Sequence, residues 1–169
     1  MDVLEAIHTR RSIRQYKDEP LSAEQIETLL RAAMAAPSAG NAQPWHFLVI
    51  EDQATRDRLA AVHPYAKMLS QAAAGILVLG EPSQEKYPGY WPLDCAAAVE
   101  NLLLAARGME LGAVWTGVWP TQERITEIRS VLDIPESVIP HTLIAVGVPA
   151  QESKRVDRFK PERVHHGAW

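Results

Sequence analysis

Hydrophobic and polar positions along this chain alternate between helical and extended spacing. Residues 2 to 9 read as a short helix with Leu4 and Ile7 facing inward. Ser22-Ala23-Glu24-Gln25 is a capping box, and Ile26, Leu29, Leu30 and Ala33 follow at helical spacing until Pro37 stops the run. Residues 45 to 50, Trp-His-Phe-Leu-Val-Ile, are nearly all apolar and predict a strand buried on both faces. Asp52 can cap a helix to about His63, and a second short helix is expected over 66 to 72. A further buried strand is predicted at 75 to 80, then a Pro- and Tyr-bearing surface loop to 92. The longest helix, about 94 to 110, is expected to start at an Asp94 cap and to close at Gly112. Apolar residues on most of its sides predict a central core helix. A strand at 113 to 119, a Thr121-capped helix to about Leu132 and a strand at 141 to 148 complete the pattern. Helices alternating with short strands give an α/β or α+β sandwich.

Length and composition narrow the class. The 169 residues suggest a single domain spanning 1–169, and a chain of this size hides roughly 70% of its unfolded surface without staples. At 47% hydrophobic and 22% charged, the chain reads as globular. The net charge of -4 gives no reason to expect nucleic acid. No apolar run approaches the ~20 residues of a bilayer span, so no membrane partner is expected. One cysteine, Cys95, excludes an internal disulfide, and a cytoplasmic protein is the default.

Three segments could carry chemistry. Arg10-Arg11-Ser12-Ile13-Arg14 is the densest positive patch. Guanidinium forks and a hydroxyl match a phosphate, though cations at a helix end also favour its dipole. A second basic cluster, Lys154-Arg155 and Arg158, could complete a phosphate clamp if the fold brought the two together. The run "APSAGNAQPW" at 36 to 45 carries no charge. Ser38, Asn41 and Gln43 suit the rim of a flat heteroaromatic, while a turn-rich loop with Gly40 at positive φ is the plainer alternative. Trp115-Thr116-Gly117-Val118-Trp119-Pro120 leaves a strand, and Gly117 would let a backbone approach a ligand, or the two tryptophans are simply core. The histidines lack metal-ligand spacing, and Cys95 fits a buried, inert thiol. With no P-loop, nucleophile elbow or Gly-x-Gly-x-x-Gly, an organic cofactor would fill the gap.

"RRSIRQY" at 10 to 16, "APSAGNAQPW" at 36 to 45 and "DCAAAVENLLLAARGMELGAVWTGV" at 94 to 118, in that order and closed by a basic tail, resemble the FMN-dependent nitroreductase family in its short form. The resemblance implies an α+β fold, a three-layer α/β sandwich with a mixed sheet around a central buried helix. It also implies an interlocked homodimer holding two FMN molecules at its interface. By the same resemblance, Arg10, Ser12 and Arg14 hold the phosphate and pyrimidine rim, with help from Arg11. Pro37, Ser38, Ala39 and Asn41 come from the other subunit, and Gln43 supports their loop. Gly117, Val118 and Trp119 present backbone to the ring, and Arg158 closes on the phosphate. Family tails often place a lysine two residues before that arginine, where this chain has Val156.

The implied activity is a two-step exchange in which NADH or NADPH delivers hydride to the flavin. A small-molecule acceptor, such as a nitroaromatic or quinone, then takes its place. No catalytic side chain is required, because the flavin carries the chemistry. The same scaffold admits ene-, pteridine and dehalogenating reductases, or a flavin binder without turnover.

Overall fold

The computed structural model describes all 169 residues. Strands β1 (Trp45–Ile50), β2 (Ala74–Gly80), β3 (Gly112–Gly117) and β4 (Ile139–Gly147) form one sheet in the order β1-β2-β4-β3. Every pair in that order is antiparallel. The parallel part of the expected mixed sheet is an isolated bridge, Ser12 beside Ala113.

Strict alternation along the two inner strands makes the three layers. Ala74, Ile76 and Val78 of β2, with Ile144 and Val146 of β4, face one core. That core is completed by Leu29 and Ala33 of α2 (Ala23–Met34) and by Cys95, Ala98, Val99, Leu102 and Ala106 of α4 (Trp91–Gly108). Leu77, Leu79, Leu143 and Ala145 face the opposite core, with Leu59 of α3 (Gln53–Val62) and Ile125 and Ile128 of α5 (Gln122–Leu132). Both inner strands are therefore buried on both faces, as their continuous apolar runs require. No helix is long and apolar enough to cross a membrane.

The expected Ser22 and Asp52 caps form, whereas Thr121 precedes α5 without a side-chain capping bond. Asp2 accepts the Leu4 and Glu5 N–H groups to start α1 (Val3–Thr9), and the Ser22–Gln25 capping box is formed in both directions. Asp52 accepts the Thr55 N–H at 2.7 Å.

Several expectations are corrected. In α1 it is Ala6 and Thr9 that are buried, whereas Leu4 and Ile7 are 64% and 47% exposed. Thr9 turns inward because its hydroxyl accepts from Arg107 Nε at 2.8 Å. Strand β1 lies at the sheet edge, so His46 and Leu48 reach solvent rather than a second layer. Helix α4 begins at Trp91, with Pro92 in a first turn that needs no N–H. Asp94 is thus inside the helix, not its cap. Glu110, at φ 61°, makes the turn after α4, and Gly112 is already strand because Ile13 packs where its side chain would be. The segment 66–72 forms only a 3-10 turn, Lys67–Gln71. Strand β3 stops at Gly117, two residues early, and Trp115 and Trp119 are half-exposed while Trp91 occupies the core.

Candidate cofactor site

Beyond α1 the basic segment runs extended beside β3. The Ile13 N–H donates to the Ala113 carbonyl at 3.1 Å. The buried Tyr16 hydroxyl lies 2.7 Å from the Ile13 carbonyl and 3.1 Å from that of Ala145. Gln151 Oε1 accepts the Arg14 and Gln15 N–H groups at 2.9 and 3.1 Å. With Ile13 and Tyr16 anchored inward, the alternation leaves Ser12 and Arg14 exposed. Arg10 pairs with Glu100 of α4 at 3.1 Å. Arg11 folds back onto the Arg10 and His8 carbonyls and reaches the Val156 carbonyl at 3.4 Å. Its Nε is buried without an acceptor.

The tail returns to this segment. Ser153 donates to the Thr9 carbonyl, and a pocket of about 240 Å³ is lined by His8, Arg10, Arg11, Val156 and Arg158 among others. Arg158 therefore joins the first basic cluster. Desolvation, then the charges of Arg158 and Arg10, lower the Arg11 pKa from its ordinary value. Arg155 instead pairs with Glu5 at 3.3 Å, and Lys154 is exposed without an ion pair.

Arg14 also lines a separate groove of about 420 Å³ with Tyr65, Lys67, Trp115 and Gly117. That groove contains no carboxylate. The Val118 and Trp119 N–H groups both donate to the His141 carbonyl at 3.1 Å. Antiparallel alternation then turns the Gly117 N–H away from β4, toward the open sheet edge. A Cβ built at Gly117 would meet nothing within 4 Å. Of the three backbone positions expected to face a ligand, Gly117 keeps its N–H free, whereas those of Val118 and Trp119 are committed internally.

The uncharged loop forms a third element. Ser38 Oγ accepts the Gln43 N–H at 3.0 Å, Gln43 Nε2 donates to Asn41 Oδ1 at 3.2 Å, and Ala39 donates to Asp94 at 2.8 Å. Gly40, Asn41 and Gln43 all have positive φ, at 62°, 55° and 51°. Left-handed backbone at two non-glycine residues costs on the order of 1 kcal/mol or more each, a strain that clusters at ligand sites. Pro37 and Asn41 are exposed. Within one chain this loop lines neither the arginine pocket nor the Gly117 groove.

Sequence reasoning missed Lys67 and Tyr65, which share the groove with Arg14, and Gln151 and Ser153, which fasten the basic segment. Nothing in the pattern around "PYAKM" marks Lys67; only the packing of the 3-10 turn brings it there. No group of His, Cys, Asp and Glu could hold a metal ion. Cys95 is fully buried, and burial pushes its thiol up to about 12.

The donor set suits a phosphorylated flat ring. Three arginines, one of them with a buried, acceptor-less Nε, gather at one end, and a carboxylate-free groove with an outward N–H lies at the other.

A model of the Nitroreductase family matches residues 7–64 and 60–148. A protein from Methanothermobacter thermautotrophicus, provisionally named NADH dehydrogenase/NAD(P)H nitroreductase, is 47% identical over 169 residues, 100% of this chain and 88% of that protein. A crystal structure under the same provisional name from Parabacteroides distasonis gives a TM-score of 0.94 at 41% identity, covering 99% of this chain and 98% of that one. A provisionally named nitroreductase from Desulfovibrio desulfuricans, crystallised in complex with FMN, gives 0.85 at 35% identity, covering 100% of this chain and 98% of that one.

Proposed function

The chain belongs to the nitroreductase family, and from that premise we propose that residues 1–169 form one FMN-binding domain of an NAD(P)H-dependent oxidoreductase. When bound, FMN would supply the hydride-transfer chemistry between NADH or NADPH and a nitroaromatic, quinone or similar small acceptor. Arg10, Arg11, Ser12 and Arg158 would hold the phosphate, because three cationic forks line the tail pocket against one lining carboxylate, Asp157. Arg14 and Lys67 would set positive charge against the ring, and Gly117 would offer its N–H. No side chain is asked to act as acid or base. A reducing, cytoplasmic setting suits the single buried thiol.

The observation that carries the proposal is continuity. Arg10 and Arg11 line the tail pocket, and Arg14, four residues on, lines the groove beside Gly117. One extended segment thus spans a phosphate-like end and a ring-like end.

A homodimer is part of the proposal. Leu4, Met34 and Leu93 are 64%, 50% and 63% exposed, an apolar surface that suits a permanent interface. The loop bearing Pro37, Ser38, Ala39 and Asn41, supported by Gln43, would reach the partner's ring, since within its own chain it lines neither the arginine pocket nor the Gly117 groove.

Visible absorbance of the purified protein, followed by anaerobic NADH, tests the cofactor. A yellow protein with one FMN per chain that bleaches on NADH or NADPH is expected. A colourless protein that takes up no added FMN overturns the proposal. Sedimentation should give a dimer, and a stable FMN-loaded monomer would remove the two-chain site.

A further inference from the structure

Two side chains from different elements converge on one backbone oxygen at the end of β3. His63 Nε2 lies 3.0 Å from the Gly117 carbonyl, and Arg124 Nη1 donates to the same oxygen at 2.9 Å. His63 follows α3, and Arg124 sits in the first turn of α5. The imidazole tautomer is fixed: the Tyr65 N–H donates to Nδ1 at 3.2 Å, so Nε2 carries the proton and donates to Gly117. The Arg124 guanidinium also lies over the Tyr65 ring, 5.1 Å from its centre. His63 is 1% exposed, so its bond is shielded from water.

This arrangement exceeds what closing a strand requires. One donor would satisfy the terminal carbonyl of an edge strand. Here two donors, one of them cationic, meet it from two elements. On the far side of the same peptide, the Val118 N–H is held by the His141 carbonyl at 3.1 Å, and the Trp119 N–H of the next peptide reaches the same oxygen. Glycine is the residue whose backbone most readily leaves strand geometry. Pinning that peptide on both sides, next to a Thr116 held in the β3–β4 ladder, limits rotation at Gly117 between the two and so holds the direction of its outward N–H.

We propose that His63 and Arg124 are positioning residues of the cofactor site, which clamp the Gly117 carbonyl so that the Gly117 N–H is held toward the flavin ring. The proposal rests on the reading of this groove as the ring site. Neither residue touches the ring in this role; both act through Gly117. The clamp serves the ring end and not the phosphate end, so its loss should weaken FMN and riboflavin equally.

Titration of FMN and riboflavin into apo-protein, by quenching of flavin fluorescence, tests this in wild type, His63→Gln, His63→Asn and Arg124→Met. Glutamine can place an N–H near the Nε2 position, and the shorter asparagine cannot. His63→Gln should bind both flavins nearly as wild type does. His63→Asn and Arg124→Met should each lose on the order of tenfold for both flavins, the size of one hydrogen-bond contribution. A merely structural role would treat the two amides alike. Equal affinities in His63→Gln and His63→Asn, or wild-type affinity in Arg124→Met, overturn the proposal. Arg124 is partly exposed, so its variant keeps the test alive if the buried histidine variants do not fold. Wild type that takes up neither flavin removes the cofactor reading itself, and the clamp with it.

Discussion

Ala39 donates its backbone N–H to the Asp94 carboxylate at 2.8 Å, across 55 positions of sequence. The bond ties the strained loop 36–45 to the first turn of the central helix. Asp94 is 5% exposed, and its second oxygen has no partner. A buried carboxylate is tolerated there because the first-turn N–H groups and the helix dipole favour negative charge.

Asp94→Ala should therefore free the loop and cost about 1 to 3 kcal/mol, the penalty of leaving a buried donor unmet. Asp94→Asn keeps an acceptor for Ala39 and should lose less. Urea unfolding of the three proteins decides it. If the alanine variant is as stable as wild type, the Ser38 and Gln43 contacts hold the loop unaided.

Gly117→Ala separates binding from folding. No atom lies within 4 Å of the added methyl, and Gly117 is not at positive φ, so stability should change by less than about 1 kcal/mol. A methyl projecting into the groove should nonetheless cost FMN at least tenfold in affinity, on the order of 1.4 kcal/mol. Gly112→Ala is the converse control: its methyl would sit 2.6 Å from Ile13 and should destabilise the fold. Unchanged FMN binding in Gly117→Ala would move the ring away from this groove.

Much of this was legible in the sequence because it rests on local rules. The capping box at Ser22, the continuous apolar runs of β2 and β4, and the turn chemistry at Gly40 each follow from nearby residues. What stayed hidden depends on contacts distant in sequence. Asp94 has the look of a helix cap, yet it serves a loop 55 residues away. Leu4 and Ile7 have the look of core, yet a single chain has nothing to cover them. Lys67 carries no signal, because only the fold of 64–68 against β3 brings it beside Arg14. The tail was ambiguous among Lys154, Arg155 and Arg158 until Glu5 took Arg155 and the pocket took Arg158.

Arg10→Ala tests the phosphate end. Arg10 is held by Glu100 at 3.1 Å while lining the tail pocket, so it is positioned before any ligand arrives. Losing a charge-assisted contact should cost FMN on the order of 2 to 4 kcal/mol, or roughly 30- to 1,000-fold in affinity. Riboflavin lacks the phosphate and should bind variant and wild type alike. The opposite outcome, equal losses for both flavins, would mean that Arg10 shapes the ring site and not the phosphate site.

His141 sets a pH limit on stability. Its ring is 5% exposed, packed against Trp91, Trp115 and Trp119, with Nδ1 2.9 Å from the Thr142 hydroxyl. Burial lowers its pKa from 6.5 to about 4, against a smaller upward pull from a bond to the Pro92 backbone. The folded state therefore holds the neutral ring, and the unfolded chain takes up the proton first. Stability from this site is complete above the unfolded value of 6.5 and drains away as pH falls from there through about 4. The full loss is about 3 kcal/mol, most of it spent by pH ~4.5. Replacement by glutamine removes the titration while keeping a polar side chain of similar reach. Between pH ~7 and ~4.5, wild type should lose about 2 to 3 kcal/mol more unfolding free energy than His141→Gln. Other groups, His63 included, titrate alike in both proteins and cancel in the difference. Equal losses would mean that the ring is protonated in place, with water reaching it between the tryptophans.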